Sequence, residues 1–190
     1  MDFKELTKGL PMTPKYFASF LTLAICSISA NPIPKAAMQE YTKVQKPLMQ
    51  IIGIACRTSN DPDRGPVEIP AHWGKFYSEN ILSQIPNRIS NDVIALYCDY
   101  ESDYTKPYSF VIGCEVSSIE SIPDGMVAKV LPAATFAKYS AKGDFPQSVI
   151  DTWMHIWQSD HNRSYIGDYE VYGEKFSSSK EVDVLLAITE

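Results

Sequence analysis

Apolar positions along the chain fall into two rhythms that succeed each other twice. The run VQKPLMQIIGIACRTS (44–59) is rich in apolar and β-branched residues and predicts extended chain, which NDPDRGP then ends. In PAHWGKFYSENILSQI (70–85) the period changes. Trp73, Phe76, Tyr77, Ile81 and Leu82 recur at helical spacing, Pro70 suits a first turn and Pro86 stops the segment. Two strand-like runs follow, DVIALYCDYE (92–101) and YSFVIGCEVS (108–117), joined by a loop of hairpin length. The second half repeats the order. Residues 125–143 are extended, with Pro132 marking a bulge or an edge. Residues 145–160 are helical, with Val149, Trp153, Ile156 and Trp157 on one stripe, and 165–176 with 181–189 form a closing hairpin. Each half is β-α-β-β. The predicted class is α+β, a duplicated unit with pseudo-twofold symmetry, antiparallel sheets each carrying a helix on one face, and a ligand cleft between the halves.

Strand alternation sorts residues by face. Val182, Val184, Leu186 and Ile188 share one face of the last strand. In the strand before it, Tyr169 and Val171 oppose Asp168, Glu170, Tyr172 and Glu174. In 108–117, Phe110, Ile112 and Cys114 oppose Val111, Gly113 and Glu115. If the apolar rows meet the helices, Glu170 with Tyr172, and Glu115 with Gly113, look into a space between two sheets.

The N-terminal stretch changes the picture of where the domain starts. MTPKYFASFLTLAICSISANP (12–32) places Lys15 before an apolar run and small residues after it, the layout of an export signal cut after Ala30. Residues 1–30 are read as that signal, with Met12 competing with Met1 as the start, 31–43 as a linker and 44–190 as the folded domain. Export to a periplasm or the exterior is the expectation; an N-terminal helix is the alternative, with a cytoplasmic location. No stretch reaches the roughly 20 apolar residues of a membrane span. Lys and Arg total 17 against 23 Asp and Glu, net −6, with no local basic cluster, so nucleic acid is not an expected partner. Without Cys26, three cysteines remain, Cys56, Cys98 and Cys114. They read as small buried residues, with a Cys98–Cys114 pairing as the minor alternative. His72, His155 and His161 do not fall at metal-ligand spacing with them, so no metal is expected.

From Pro123 onward the chain resembles the GyrI-like effector-binding domain, which also forms the ligand-sensing part of AraC- and MerR-type regulators. The resemblance rests on the turn at Ile122, Pro123 and Gly125, on LPAATFAKYSAKG, VIDTWMHIW, DYEVY and EVDVLLAI, and in the first half on YSFVIGCEV. It implies a duplicated fold related to the SOUL-type architecture, with a cleft between the halves for hydrophobic, often aromatic or cationic molecules. In such domains a strand glutamate forms the floor, and by motif that residue is Glu170. Some relatives hydrolyse reactive cyclopropane-bearing compounds. No helix-turn-helix accompanies the domain, so a stand-alone module is expected, and haem is not, because neither His155 nor His161 has motif support as an axial ligand.

A carboxylate among aromatic rings can hold an apolar cation through charge and ring faces together, or act as a general base toward water. Neither a nucleophile elbow nor HExxH nor a phosphate-cradling loop is present. Binding of an effector without a cofactor is therefore the main expectation. The alternatives are a cofactor-independent hydrolase using Glu170 and Glu115, and a secreted interaction protein with a vestigial cleft. The candidate ligand-binding residues are Glu170, Tyr172, Glu115, Trp73, Phe76, Tyr97, Tyr108, Trp153 and Trp157. The acidic loop 99–103 is read as solvated, without a specific role.

Overall fold

A computed structural model describes residues 40–189. The export signal, the choice of start and Cys26 lie outside the described residues, as does most of the 31–43 linker. The elements in chain order are β1 (Thr42–Lys46), β2 (Met49–Thr58), α1 (Gly65–Ser78), α2 (Ile81–Gln84), β3 (Val93–Cys98), β4 (Tyr108–Glu115), β5 (Val127–Leu131), β6 (Ala134–Ala141), α3 (Gln147–Gln158), β7 (Asp168–Tyr172), α4 (Glu174–Ser179) and β8 (Val182–Ile188).

All eight strands form one antiparallel sheet in the order β1-β6-β8-β7-β3-β4-β2-β5. Exchanging β1 with β5, β2 with β6, β3 with β7 and β4 with β8 reverses this order onto itself. The duplication read from the sequence is therefore a pseudo-twofold whose axis runs between β3 and β7. The two halves meet edge to edge at that pair, in place of two sheets facing across a gap.

Each long extended run is in fact two strands, because a proline interrupts the ladder it would otherwise continue. Pro47-Leu48 separates β1 from β2, and Pro132-Ala133 separates β5 from β6. These short links cross the sheet. The strands joined by each lie six interstrand spacings apart in the order, about 29 Å if the sheet were flat. Three Cα steps span at most roughly 11 Å. The sheet must therefore roll until its two margins approach, with the helix-free face inside the roll. Leu131 of the edge strand β5 shows the result: a Cβ built on Gly167, just before β7, would meet its methyl at 2.6 Å.

The roll needs close backbone approach where β2 pairs with β4. Gly53 lies opposite Gly113. A Cβ on Gly53 would stand 2.1 Å from the Ile112 carbonyl oxygen, and one on Gly113 would stand 2.1 Å from that of Ile52. Only glycine at both positions allows this approach.

Both helices α1 and α3 cover the outer face. α1 packs on β2 and β4, and α3 on β6 and β8. Ile52, Ile54, Phe110 and Ile112 are buried with the α1 residue Phe76, while Ala137, Tyr139, Val184 and Leu186 are buried with Val149 and Ile156 of α3. Inside the roll, Ile51, Leu96, Val111, Phe136, Tyr169 and Leu185 form a second core. The central strands are thus apolar on both sides, which is why apolar content alone did not separate the faces.

Several boundaries differ from the sequence reading. α1 begins at Gly65 with Pro66 in its first turn, so Pro70 is interior. It ends at Ser78, and α2 starts after Asn80, whose left-handed backbone (φ 51) breaks the helix. β7 ends at Tyr172, and Glu174 opens α4 and shares no strand face with Glu170. The Cys98–Cys114 alternative is ruled out by face: Cys114 packs under the helices, Cys98 inside the roll, and Cys56, Cys98 and Cys114 are all free thiols.

Candidate functional site

The seam between the halves places a carboxylate beneath both helices. Glu170 sits mid-strand on β7, opposite Ala95 of β3. The methyl of Ala95 leaves room for the larger side chain, and neighbours two residues along each strand turn toward it. Tyr97 donates its hydroxyl to Glu170 Oε1 at 3.0 Å, and Tyr172 donates to Oε2 at 2.7 Å. From α3, the Trp153 indole Nε1 donates to Oε1 at 2.6 Å. Glu170 is only 3% exposed. Burial raises its pKa above the ordinary 4.5, opposed by the hydrogen bonds from Tyr172, Trp153 and Tyr97, with no basic side chain contributing.

The remaining candidates divide between wall, rim and elsewhere. Tyr97 touches Tyr108, Phe110 and Trp153, with ring centroids 5.7, 5.0 and 5.2 Å away. Trp73 of α1 meets Tyr172 edge-on at 5.1 Å and stacks on Tyr77. Tyr108 belongs to the wall, but its hydroxyl points away and donates to Asn60 Oδ1. Phe76 is fully buried behind Trp73 as core. Trp157 stands one helical turn beyond Trp153 and stacks almost parallel (7°) on Tyr104 of the β3–β4 loop. Tyr104, directly after the acidic stretch 99–103, therefore supplies part of the rim.

Glu115 does not join this group. Glu170, Tyr172 and Phe110 lie on the helix side, whereas Val111, Gly113 and Glu115 point into the roll. Apart from Glu174, the alternation grouped the residues of each strand correctly, but the side given to Glu170 is reversed: it is Tyr169 and Val171 that face away from the helices. With the sheet between them, Glu115 and Glu170 cannot act on one scissile bond, so two-carboxylate hydrolysis has no geometric basis.

A second buried carboxylate, passed over as a site residue in the sequence, lies two residues before Glu170. Asp168 is 0% exposed. Its Oδ2 accepts from Tyr100 at 2.8 Å and from Arg163 Nη2 at 2.6 Å, and its Oδ1 accepts the Ala187 backbone N–H at 2.8 Å. The guanidinium lies 4.4, 5.5 and 5.9 Å from the ring centres of Tyr165, Tyr104 and Tyr100. Burial pushes Asp168 up while the attraction of Arg163 opposes it. Burial would lower Arg163, but Asp168 and the phenols hold it above its usual value. Because a neutral Asp168 would leave this guanidinium buried without a counter-ion, the pair stays ionised. The DxE alternation showed Asp168 beside Glu170; nothing local marked Arg163, which comes from the preceding loop.

Two cavities occur near these strands. One of about 240 Å³ lies along β1 at Lys43, Val44, Gln45 and Thr135. The other, about 220 Å³, opens at the mouth of the roll and includes Glu115. Neither is lined by Glu170, whose surroundings are filled by the rings that bond to it, so a molecule reaching that carboxylate must displace them. Among the described residues there is no cluster of three or more metal-ligating side chains, and no helix is long and apolar enough to cross a membrane.

Comparison with known proteins fits this geometry. The chain is 28% identical over 149 residues to YobU of Bacillus subtilis (strain 168), a protein named as a proposed transcriptional regulator; the match spans 74% of this chain and 92% of that one. The integron cassette protein VCH_CASS2 of Vibrio cholerae superposes with a TM-score of 0.63 at 26% identity, covering 80% of this chain and 97% of that one. The structure of SAV2435 bound to tetraphenylphosphonium gives the same TM-score at 15% identity, covering 79% and 94%, and shows the shared fold. Residues 44–188 match the family model described as Cass2, integron-associated effector binding protein, and the chain belongs to that family.

Proposed function

We propose that this effector-binding domain takes a hydrophobic organic cation at Glu170, under α1 and α3 at the seam of the two halves. One observation carries the reading: a carboxylate almost wholly removed from water receives three neutral donors and no positive charge. Burying such a group unpaired is costly. An incoming cation supplies the missing charge, and the rings of Tyr97, Trp153, Tyr172 and Trp73 offer it their faces. The tetraphenylphosphonium carried by SAV2435 is a cation of this class, which supports the choice.

Binding proceeds by exchange. The Tyr97 and Tyr172 hydroxyls and the Trp153 indole release the carboxylate as the ligand enters, and their rings become the wall. Apolar cations of differing outline are accepted, because the only directional demand is charge near the Glu170 oxygens. A protonated Glu170 has no charge to offer, so affinity rises with pH through its raised pKa.

Tetraphenylphosphonium chloride titrated into the full chain at pH 8 should raise the melting temperature, and Glu170→Gln should weaken binding on the order of thirtyfold, about 2 kcal/mol. Equal affinity in the two proteins, measured by calorimetry, would sink the proposal.

A further inference from the structure

The mouth of the roll has the features of a site of its own. Its cavity of about 220 Å³ exceeds the ~150 Å³ that holds a benzene ring in an engineered protein core. Mouths of barrel-like sheets are common ligand positions. The floor is apolar, with Met49 and Phe136 buried in it, and the wall carries Glu115, Asp92 and Tyr169. Tyr169 is 3% exposed, packs its ring edge-on against Phe136 at 5.4 Å, and makes no hydrogen bond through its hydroxyl to any described residue. Neither Glu115 nor Asp92 forms a salt bridge among the described residues. Lys46, at the rim, is exposed. Burial raises the Glu115 carboxyl and Asp92 adds to that, while Lys46 opposes it, as expected for two carboxylates sharing a half-enclosed space.

We propose that this mouth is a second ligand site, separate from Glu170, for a small primary ammonium carrying one ring or a short chain. The ammonium sits between the Glu115 and Asp92 carboxylates and donates one N–H to the Tyr169 oxygen. The apolar body rests on Phe136 and Met49. Two carboxylates against one lysine leave the mouth net negative, which favours a cation over an anion. The volume excludes a molecule with four phenyl rings, so the two sites differ in ligand size. The sheet itself divides them, Tyr169 and Glu170 being neighbours that point to opposite faces.

The test titrates benzylammonium chloride into the full chain at pH 8 and low salt, following backbone amide resonances of β4 and β7 and heats of binding, with benzyl alcohol as the uncharged analogue. The expected results are saturable shifts centred on Glu115 and Tyr169, at least tenfold weaker binding in Glu115→Gln, a three- to fivefold loss in Tyr169→Phe, and at least tenfold weaker binding of benzyl alcohol. Glu115→Gln should keep the wild-type response to tetraphenylphosphonium, and Glu170→Gln should keep the response to benzylammonium. Absence of binding at 10 mM, equal binding of the alcohol, or unchanged affinity in Glu115→Gln overturns the proposal. So does a loss confined to Glu170→Gln, which would put the amine at the seam. Asp92→Asn, near the surface, repeats the test if Glu115→Gln proves unstable. Failure of tetraphenylphosphonium alone would leave this site standing and remove only the reading of Glu170.

Discussion

Asp168 and Glu170 stand two residues apart on one strand, both buried, both accepting three hydrogen bonds, both ringed by tyrosines. They differ in one respect. Asp168 has the Arg163 guanidinium at 2.6 Å, itself caged by Tyr100, Tyr104 and Tyr165. Glu170 has Tyr97, Trp153 and Tyr172 and no cation. The first is a complete cation–carboxylate–aromatic assembly built from the chain itself. The second repeats the carboxylate and the rings but leaves the cation to be supplied. On the reading proposed above, this difference is what assigns the ligand to Glu170 and not to Asp168.

The largest expected effect is the one that breaks the complete assembly. Asp168→Asn leaves Arg163 buried without its counter-ion and should lower unfolding stability in urea by about 3–5 kcal/mol. Glu170→Gln, measured the same way at neutral pH, should change stability by less than about 1 kcal/mol. If both substitutions cost the same, the two carboxylates are equivalent and the comparison fails. Next is Trp153→Arg, which gives Glu170 an internal guanidinium. It should abolish the melting-temperature rise caused by tetraphenylphosphonium, because the counter-ion is already present, and a normal rise in this variant would count against Glu170 as the binding carboxylate.

Smaller effects sharpen the contrast. Trp153→Phe keeps a ring but removes one donor. It should lower stability without ligand by about 1 kcal/mol and leave cation affinity within about threefold of wild type by calorimetry. The pH dependence has a definite sign. The folded state holds the Glu170 proton above the ordinary value of 4.5, so between that value and the raised one it binds more proton than the unfolded chain does. Stability contributed by this group is greatest below 4.5 and falls as pH rises through the raised value, by at most about 1.4 kcal/mol per pH unit. Thermal melts across that window should show the decline in wild type and a flatter profile in Glu170→Gln. Of similar size, Tyr104→Ala should remove the stack on Trp157 and one ring beside Arg163, for roughly 0.5–1.5 kcal/mol, seen as a small drop in both stability and cation affinity.

Part of this site was legible in the chain. The helical stripe gave Trp153 and Trp157, and strand alternation put Asp168, Glu170 and Tyr172 on one face, as found. The side on which that face lies was not legible. Tyr169 and Val171 look like a row for helix packing, yet they fill the inside of the roll. A strand buried on both sides carries apolar residues in both rows, and its alternation loses the contrast that names the wet face. Tyr100, Tyr104 and Arg163 were missed because they sit in loops, where no period relates one residue to the next. Pro47 and Pro132, at equivalent places in the two halves, could have revealed the split strands had the halves been aligned on them.

Local periodicity and the repeated β-α-β-β order need only neighbouring residues, so the sequence by itself determined the main helices and strands, the duplication and, within β4, β7 and β8, the grouping of side chains by strand face. The tertiary structure alone decided that the halves share one sheet, that two short links force it to roll, and that Glu170 and Glu115 end on opposite sides of it. Those outcomes depend on distances between segments far apart in the chain, and such distances are fixed only when the strands pair and the margins of the sheet close on each other.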